Sequence, residues 1–221
     1  MHFEFLVEDQ SGKAALEHLV PKIIGTPHTF KIHCYKGIGH LPKDMGSHTG
    51  HPRHRILLQR LPGLLRGYGT TFAQYPPDFA AAVIVVCDLD DRNREIFHQE
   101  LNAVLDVCHP APIARFCLAI EEGEAWYLGD LGAVETAYPK ARKEILNTYV
   151  NDSICGTWEK LADAIYPGGA KALRKQGWQA VGREKSNWAT RISPHMDPNT
   201  NNSPSFVSFR NTLTQLAQDT R

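Results

Sequence analysis

Acidic residues follow three apolar segments that have the length of strands. Glu8 follows HFEFLV, Asp88 and Asp90 follow AAAVIVVC, and Glu122 and Glu124 follow PIARFCLAI. In an open parallel sheet, ligands bind at the carboxyl ends of the strands. We therefore expect these carboxylates to meet at one edge of a sheet.

A divalent metal ion is the ligand that such an arrangement favours. Residues two apart in an extended stretch point to the same side, so Asp88 and Asp90 are expected to face one point. Converging carboxylates repel each other unless a cation neutralises them, and oxygen ligands suit Mg²⁺ or Mn²⁺. Acids also cap helices, and this explanation suffices for Asp91. A DxD matched by Glu8 favours a metal site instead.

The apolar pattern predicts strands that alternate with helices. A strand, a turn and a helix open the chain, and FKIHCY is a second strand. Residues 53–66 are expected to form a basic amphipathic helix interrupted by Pro62. Residues 80–87 have the continuous apolar character of a central strand buried on both faces, and a helix to about Cys108 and another strand follow. This alternation predicts an α/β fold with a mostly parallel sheet flanked by helices.

Strand patterns end near residue 131. The following segment predicts short helices that end at proline and glycine positions, namely Pro139, the Pro167-Gly168-Gly169 turn and Gly177. A last helix is expected from about Phe206 to Gln218. We therefore expect an α/β core over residues 1–130 and a helical C-terminal extension, packed on that core, over residues 131–221.

Composition limits the classes of partner. Lysine and arginine together balance aspartate and glutamate at 24 each, so any binding of polyanions requires a local patch of cations. The first residues do not resemble a signal peptide, and no stretch approaches the roughly 20 apolar residues of a membrane span. The 5 cysteines form no CxxC pair, which is typical of thiols in a reducing compartment. We expect a cytoplasmic protein with no membrane association.

The acidic segments resemble those of a known class of domains. FLVEDQSG together with VIVVCDLDD resembles the Toprim signature, in which a glutamate and a later DxD bind Mg²⁺. The order LVEDQSG, DLDD, AIEEGEAWYLGD and SPSFVSF is similar to that of small, stand-alone bacterial Toprim-like proteins of poorly defined function. These are related to the Toprim domains of the OLD (overcoming lysogenization defect) nucleases. The resemblance implies a Toprim/Rossmann-like fold.

The resemblance also implies roles for individual residues. Glu8, Asp88 and Asp90 match the metal ligands, and Glu122 and Glu124 match a later ExE pair that serves a second metal ion. Two further positions bear on the site. Lys185 lies where related nucleases place a lysine that stabilises charge on the phosphate, whereas Gly12 replaces an acid that relatives frequently carry, with Asp9 as the nearest substitute.

These properties lead to the expectation of a metal-dependent nuclease that hydrolyses phosphodiester bonds in DNA or RNA. Family members often lie beside ATPase genes in phage-defence loci, so an ABC-type or AAA-like ATPase partner and a role as defence effector are expected. The alternative is a decayed, Toprim-like regulatory subunit of that ATPase. The cations expected to contact nucleic acid are Lys36, Arg53, Arg55 and Arg60, with a second basic group of Lys171, Arg174, Lys175, Arg183, Lys185 and Arg191.

Other chemistries fit the sequence less well. His48, His51 and His54 recur every third residue, but a zinc site is disfavoured in a segment rich in glycine and proline with no nearby cysteine. No tyrosine lies in a recognisable topoisomerase context, and GxxxxGK[ST] does not occur. A phosphorelay pocket would place Asp88 poorly as phosphoacceptor. Trp158, Trp178 and Trp188 are expected to anchor the helical region, and Trp126 is expected to pack in the core behind the acidic residues.

Overall fold

The computed structural model describes residues 1–42 and 55–219. Four strands form one sheet in this part of the chain: β1 (His2–Val7), β2 (Thr29–Cys34), β3 (Ala81–Asp88) and β4 (Ile113–Ala119). All pairings are parallel, and the strand order is β2-β1-β3-β4. The expected parallel α/β fold is confirmed.

The sheet has a switch in strand order between β1 and β3. From β1 the chain first crosses to β2 on one side and then to β3 on the other, so the carboxyl ends of β1 and β3 flank the crevice in which open α/β sheets bind ligands. The register places Val7 of β1 opposite Val86 of β3. Glu8 and Asp88 follow these two positions directly.

Ten α-helices surround the sheet in the described residues: α1 (Gln10–Ile24), α2 (Leu57–Phe72), α3 (Arg94–Asp106), α4 (Glu124–Leu128), α5 (Leu131–Ala137), α6 (Lys143–Leu146), α7 (Thr157–Ile165), α8 (Gly169–Arg174), α9 (Trp178–Ile192) and α10 (Pro204–Gln218). Side-chain caps fix several starts. Asp9 accepts from the N–H of Gly12 at the start of α1, and Ser203 accepts from the N–H of Phe206 at the start of α10. None of these helices is long and apolar enough to cross a membrane.

Two apolar cores lie on opposite faces of the sheet. Strand β3 contributes to both, because Ile84 and Val86 face one core while Val85 and Cys87 face the other. Helices α1, α9 and α10 pack in the first core, and α2 and α3 pack in the second. The C-terminal helices therefore share a core with the sheet, and their packing determines what reaches its edge.

Helix α2 differs from its predicted extent. It covers Leu57–Phe72 and continues through Pro62, whereas the sequence predicted residues 53–66 with an interruption. Proline removes one hydrogen bond within a helix. Here the apolar side of the helix, which includes Leu61 and Leu65, is completely buried against the sheet and keeps the helix continuous. Residues 53 and 54 lie outside the described part of the chain.

The predicted helix ends in the C-terminal region are confirmed. Helix α5 ends at Ala137, just before Pro139, and α7 and α8 are separated by the Pro167–Gly169 turn. Gly177, with a φ of 89°, precedes α9. The last helix begins two residues earlier than expected, at Pro204, because proline suits the first turn of a helix.

Candidate functional site

Glu8 and Asp88 lie next to each other at the switch point. The backbone N–H of Asp88 donates to Oε2 of Glu8 at 3.4 Å. Both side chains line a small cavity of about 40 Å³, together with Glu124 and Lys185. A cavity of this size has room for a water molecule or an ion. The structure thus brings the first two predicted ligands together.

The pair carries a high electrostatic cost in its ionised form. Burial raises the pKa of Glu8 to about 7, and repulsion from Asp9 and Asp90 acts in the same direction. Burial also raises the pKa of Asp88 well above its usual range, and the charge of Glu8 raises it further. Either a proton or a cation must therefore accompany these two carboxyls near neutral pH.

Asp90 does not join them in the arrangement predicted for a DxD. Strand β3 ends at Asp88, and Asp90 has a left-handed backbone with a φ of 51°. Its Oδ2 lies 2.8 Å from Nη1 of Arg92, and its N–H donates to the carbonyl of Glu121 at 2.9 Å. The two-residue alternation applies only while the backbone stays extended, so Asp90 lies near the cavity but turns its carboxylate to Arg92.

Lys185 brings a positive charge from α9 into the acidic cluster. Its Nζ lies 3.1 Å from Oε2 of Glu124 and 3.5 Å from Oε1 of Glu122. Burial raises the pKa of Glu122 to about 7 and also raises that of Glu124. Burial lowers the pKa of Lys185, but the charges of Glu124, Asp88 and Glu122 outweigh this effect and raise it well above its usual range, so Lys185 is positively charged. The predicted ExE pair and the predicted lysine are in direct contact.

Glu121 is a site residue that the sequence did not single out. Its carboxylate accepts hydrogen bonds from the backbone N–H groups of Cys155 at 3.1 Å, Gly156 at 2.9 Å and Thr157 at 3.0 Å, and from the Thr157 hydroxyl. These bonds lower the pKa of Glu121. It stands first in the run EEGE, but its role depends on α7, which the local pattern does not place. Glu121 fixes the start of α7 against the end of β4.

Helix α7 in turn orients Glu122. The backbone N–H of Trp158 donates to Oε2 of Glu122 at 3.1 Å, which leaves Oε1 directed towards Lys185. Glu121 and Glu122 therefore use adjacent N–H groups at one helix start. The position of the acidic cluster depends on this contact between α7 and the end of β4.

Some of the predicted basic residues lie near the cluster, whereas Lys171, Arg174, Lys175 and Arg191 line other pockets. The N–H of Gly37 donates to the carbonyl of Glu8 at 3.1 Å, and the N–H of Lys36 donates to the carbonyl of Arg55 at 2.6 Å. The guanidinium of Arg55 lies 5.9 Å from the ring centre of Tyr35. Lys36 also lines an open groove, together with Asp9 and Arg183. Arg60 lies on α2, and its charge partly offsets the rise that burial causes in the pKa of Tyr35. Arg53 falls outside the described residues.

The chemistry of the donors suits a hard divalent cation. Glu8 and Asp88 are adjacent, half-buried and acidic, and Mg²⁺ and Mn²⁺ prefer carboxylate oxygen. In residues 1–42 and 55–219, no group of three His, Cys, Asp or Glu side chains is arranged to hold a metal ion. Gly12 also lines the cavity.

Tryptophans and histidines differ in how far they meet expectation. Trp158 and Trp188 are buried, as expected of anchors, but Trp178 is 75% exposed and touches Trp158 edge to face at 6.4 Å. The prediction that Trp178 anchors the helical region is therefore wrong, because it is the first residue of α9 and lies outside the core. The histidines of the predicted loop, His48, His51 and His54, fall outside the described residues.

Comparisons of this chain with protein-family models, with curated proteins and with solved structures gave no match. An assignment of function therefore rests on the geometry and charge of the acidic cluster.

Proposed function

We propose that the acidic cluster hydrolyses phosphodiester bonds in nucleic acid with the help of Mg²⁺ or Mn²⁺, as a Toprim-type nuclease. The observation that carries the proposal is the adjacent Glu8–Asp88 pair at the switch point, where burial disfavours both negative charges. A divalent cation would remove that cost. The position is the one at which open α/β sheets bind ligands.

The residues of the cluster have distinct roles in this proposal. Glu8 and Asp88 hold the metal ion, and Asp90 completes its ligands from the neighbouring turn. When bound, Mg²⁺ or Mn²⁺ polarises a phosphoryl oxygen and lowers the pKa of a coordinated water. The Nζ of Lys185 stabilises the negative charge that develops on the phosphate.

Glu122 is suited to move a proton. With a pKa of about 7, its carboxyl is partly ionised near neutral pH, which is the condition for an efficient general base. The Oε2 atom is held by the N–H of Trp158, and Oε1 faces the cluster. We assign to Oε1 the acceptance of a proton from the attacking water. Glu124, which is 1% exposed, keeps Lys185 in place.

The substrate in this proposal is a phosphate backbone, of DNA or of RNA. Lys36 and Arg183 line the open groove that includes Asp9, next to Glu8. Arg55 and Arg60 extend the positive charge around Tyr35. Cations on both sides of an acidic metal site guide a polyanion towards it despite a net charge of zero. The expected contact of Arg53 lies outside the described residues and stays a prediction from the sequence.

A second candidate is a regulatory subunit that binds an ATPase partner without catalysis. The specific observation in its favour is Lys185, which already provides an internal counter-charge for Glu122 and Glu124. Gly12 also favours a regulatory subunit, because a glycine cannot provide the further acidic ligand expected at this position. An activity in a phage-defence system that survives loss of the metal ligands would support it.

The two candidates are separated by cleavage and function assays on one set of variants. The nuclease proposal predicts that the purified chain, alone or with its ATPase partner, cleaves DNA or RNA with Mg²⁺ or Mn²⁺ but not with EDTA. Asp88→Asn should reduce the rate at least about a thousandfold, since the metal would lose a ligand. Asp91→Asn is the matched control, because Asp91 is exposed and outside the cavity. A wild-type level of cleavage in Asp88→Asn would overturn the proposal.

A further inference from the structure

A second, larger cavity lies among the C-terminal helices and is lined by other residues than the acidic one. Its volume of about 950 Å³ is at the upper end of the range for small-molecule sites. The connection between α5 and α6, the corner between α7 and α8, and one side of α9 form its walls. Nothing in the proposed hydrolysis uses this cavity.

The charge of its lining favours an anion. Lys140, Arg142 and Arg191 contribute three cations, and Glu184 is the acid among the described lining residues. The guanidinium of Arg142 is fixed in place, because it donates to the carbonyl of Asp163. Lys140 is exposed at the rim. Guanidinium and ammonium groups arranged in this way suit phosphate oxygens.

Aromatic residues favour a ligand that also contains a flat ring. Tyr138 and Tyr166 line the cavity, and the buried Trp188 lies behind them. The guanidinium of Arg191 lies 5.1 Å from the ring centre of Tyr138, which orders both side chains. The hydroxyl of Tyr166 accepts from Nε2 of Gln176 at 2.8 Å, so this ring is also fixed.

Polar groups complete the lining. Nδ2 of Asn187 donates to Oε1 of Glu184 at 3.2 Å, and both residues line the cavity. Together they present amide and carboxylate groups that match the donors and acceptors on the edge of a base or on a ribose. Cations, fixed tyrosine rings and a polar edge form one concave surface.

We propose that this cavity binds a nucleotide unit, with its base against Tyr138 and Tyr166 and its phosphate on Lys140, Arg142 and Arg191. Proteins bind single-stranded nucleic acid without sequence preference by stacking its bases on aromatic rings and by placing cations against its phosphates. The unit is either a free nucleoside phosphate or one residue of a single strand. The proposal is independent of hydrolysis at the acidic cluster.

Isothermal titration of the full chain in EDTA tests the proposal. The probes are AMP, ADP, adenosine, inorganic phosphate and a short oligothymidylate. We expect AMP, ADP or the oligothymidylate to bind at least about tenfold more tightly than adenosine or phosphate. Only these three probes contain both a base and a phosphate group. Binding of the mononucleotides identifies a free nucleotide as the ligand, and binding of the oligothymidylate alone identifies a single strand.

Variants locate the binding. Lys140→Glu and Arg191→Glu should each weaken it about tenfold or more, whereas Lys31→Glu, an exposed charge reversal on β2, should leave it unchanged. Asp88→Asn should retain it, so a failure of the nuclease proposal would not affect this result. Thermal unfolding confirms that each variant is folded. The proposal is overturned if no probe binds, if phosphate binds as tightly as AMP, or if both charge reversals bind like the wild type.

Discussion

The ammonium group of Lys185 on α9 lies 3.1 Å from the carboxylate of Glu124 on α4, and the Glu124 side chain is buried while that of Lys185 is partly exposed. The contact joins the C-terminal helices to the edge of the sheet where Glu8 and Asp88 lie. Removing one member of a buried ion pair leaves the other without compensation. The pair therefore connects the stability of the fold to the charge of the site.

Replacement of Lys185 by methionine should destabilise the protein. The buried carboxyl of Glu124 and the half-buried carboxyls of Glu8, Asp88 and Glu122 would lose a neighbouring cation, and we expect a loss of about 3 to 5 kcal/mol in the free energy of unfolding. Urea denaturation measures this loss. The double variant Lys185→Met, Glu124→Gln should recover part of it, because one buried charge is then absent. If Lys185→Met is as stable as the wild type, the contact between Lys185 and Glu124 does not stabilise the fold.

Stability should depend on pH through Glu8 and Glu122. Both have a pKa raised from 4.5 to about 7 in the folded state, so the folded protein holds more protons than the unfolded chain between these values. Their contribution to stability is complete below about pH 4.5 and is lost as the pH rises through about 7. We expect the Tm, measured in EDTA, to fall over this range.

The metal proposal adds a specific dependence on Mg²⁺. Because Mg²⁺ binds carboxylates, millimolar Mg²⁺ should raise the Tm more at about pH 8 than at about pH 5. Glu8→Gln should reduce both the pH dependence and the effect of Mg²⁺. Glu17→Gln, an exposed change on α1, serves as control. Equal effects of Mg²⁺ on wild type and Glu8→Gln would count against metal binding by Glu8.

Glu121 should prove important for the position of α7. Glu121→Gln removes the charge that three backbone N–H groups share, and we expect a loss of roughly 2 to 4 kcal/mol in the free energy of unfolding. Hydrogen exchange at Cys155, Gly156 and Thr157 should become faster. Glu100→Gln, at an exposed carboxylate on α3, is the control. Unchanged exchange at these three amides would show that the bonds to Glu121 are unimportant.

Gly12→Asp should strengthen metal binding. A Cβ at this position would lie 3.4 Å from Oδ1 of Asp9 and 3.8 Å from Cβ of Val7, which are ordinary contacts, so a side chain fits. An additional carboxylate facing the Glu8–Asp88 pair should raise the affinity for Mn²⁺ about tenfold or more. Titration followed by electron paramagnetic resonance measures the affinity. Gly12→Ala should not alter it, and equal affinity in both variants would argue against a metal at this cavity.

Much of the sheet was predictable because local patterns determine it. The run from Ala81 to Val86 is apolar at every position, as a strand buried on both faces requires, and the topological rule for parallel sheets then placed Glu8 near Asp88. The orientation of Asp90 was not predictable from spacing, since the backbone leaves the extended region at that residue.

Residues that act across long distances in the chain were harder to identify. Lys185 could be proposed only through family resemblance, and its contact with Glu124 requires the packing of α9 against α1 and the sheet. Glu121 depends on the start of α7, thirty-six positions later in the chain in the case of Thr157. The exposure of Trp178 was missed because composition does not distinguish a buried indole from one at the start of a helix.

The contact between Lys185 and Glu124 also has a consequence for biosynthesis. All four strands and the acids that follow them emerge from the ribosome before α9 does, and α9 contributes both the counter-charge and part of the first core. A nascent or prematurely terminated chain that ends before α9 therefore has an unbalanced set of carboxylates and an uncovered apolar sheet face. The charge balance at this edge of the sheet can therefore form only after α9 has left the ribosome.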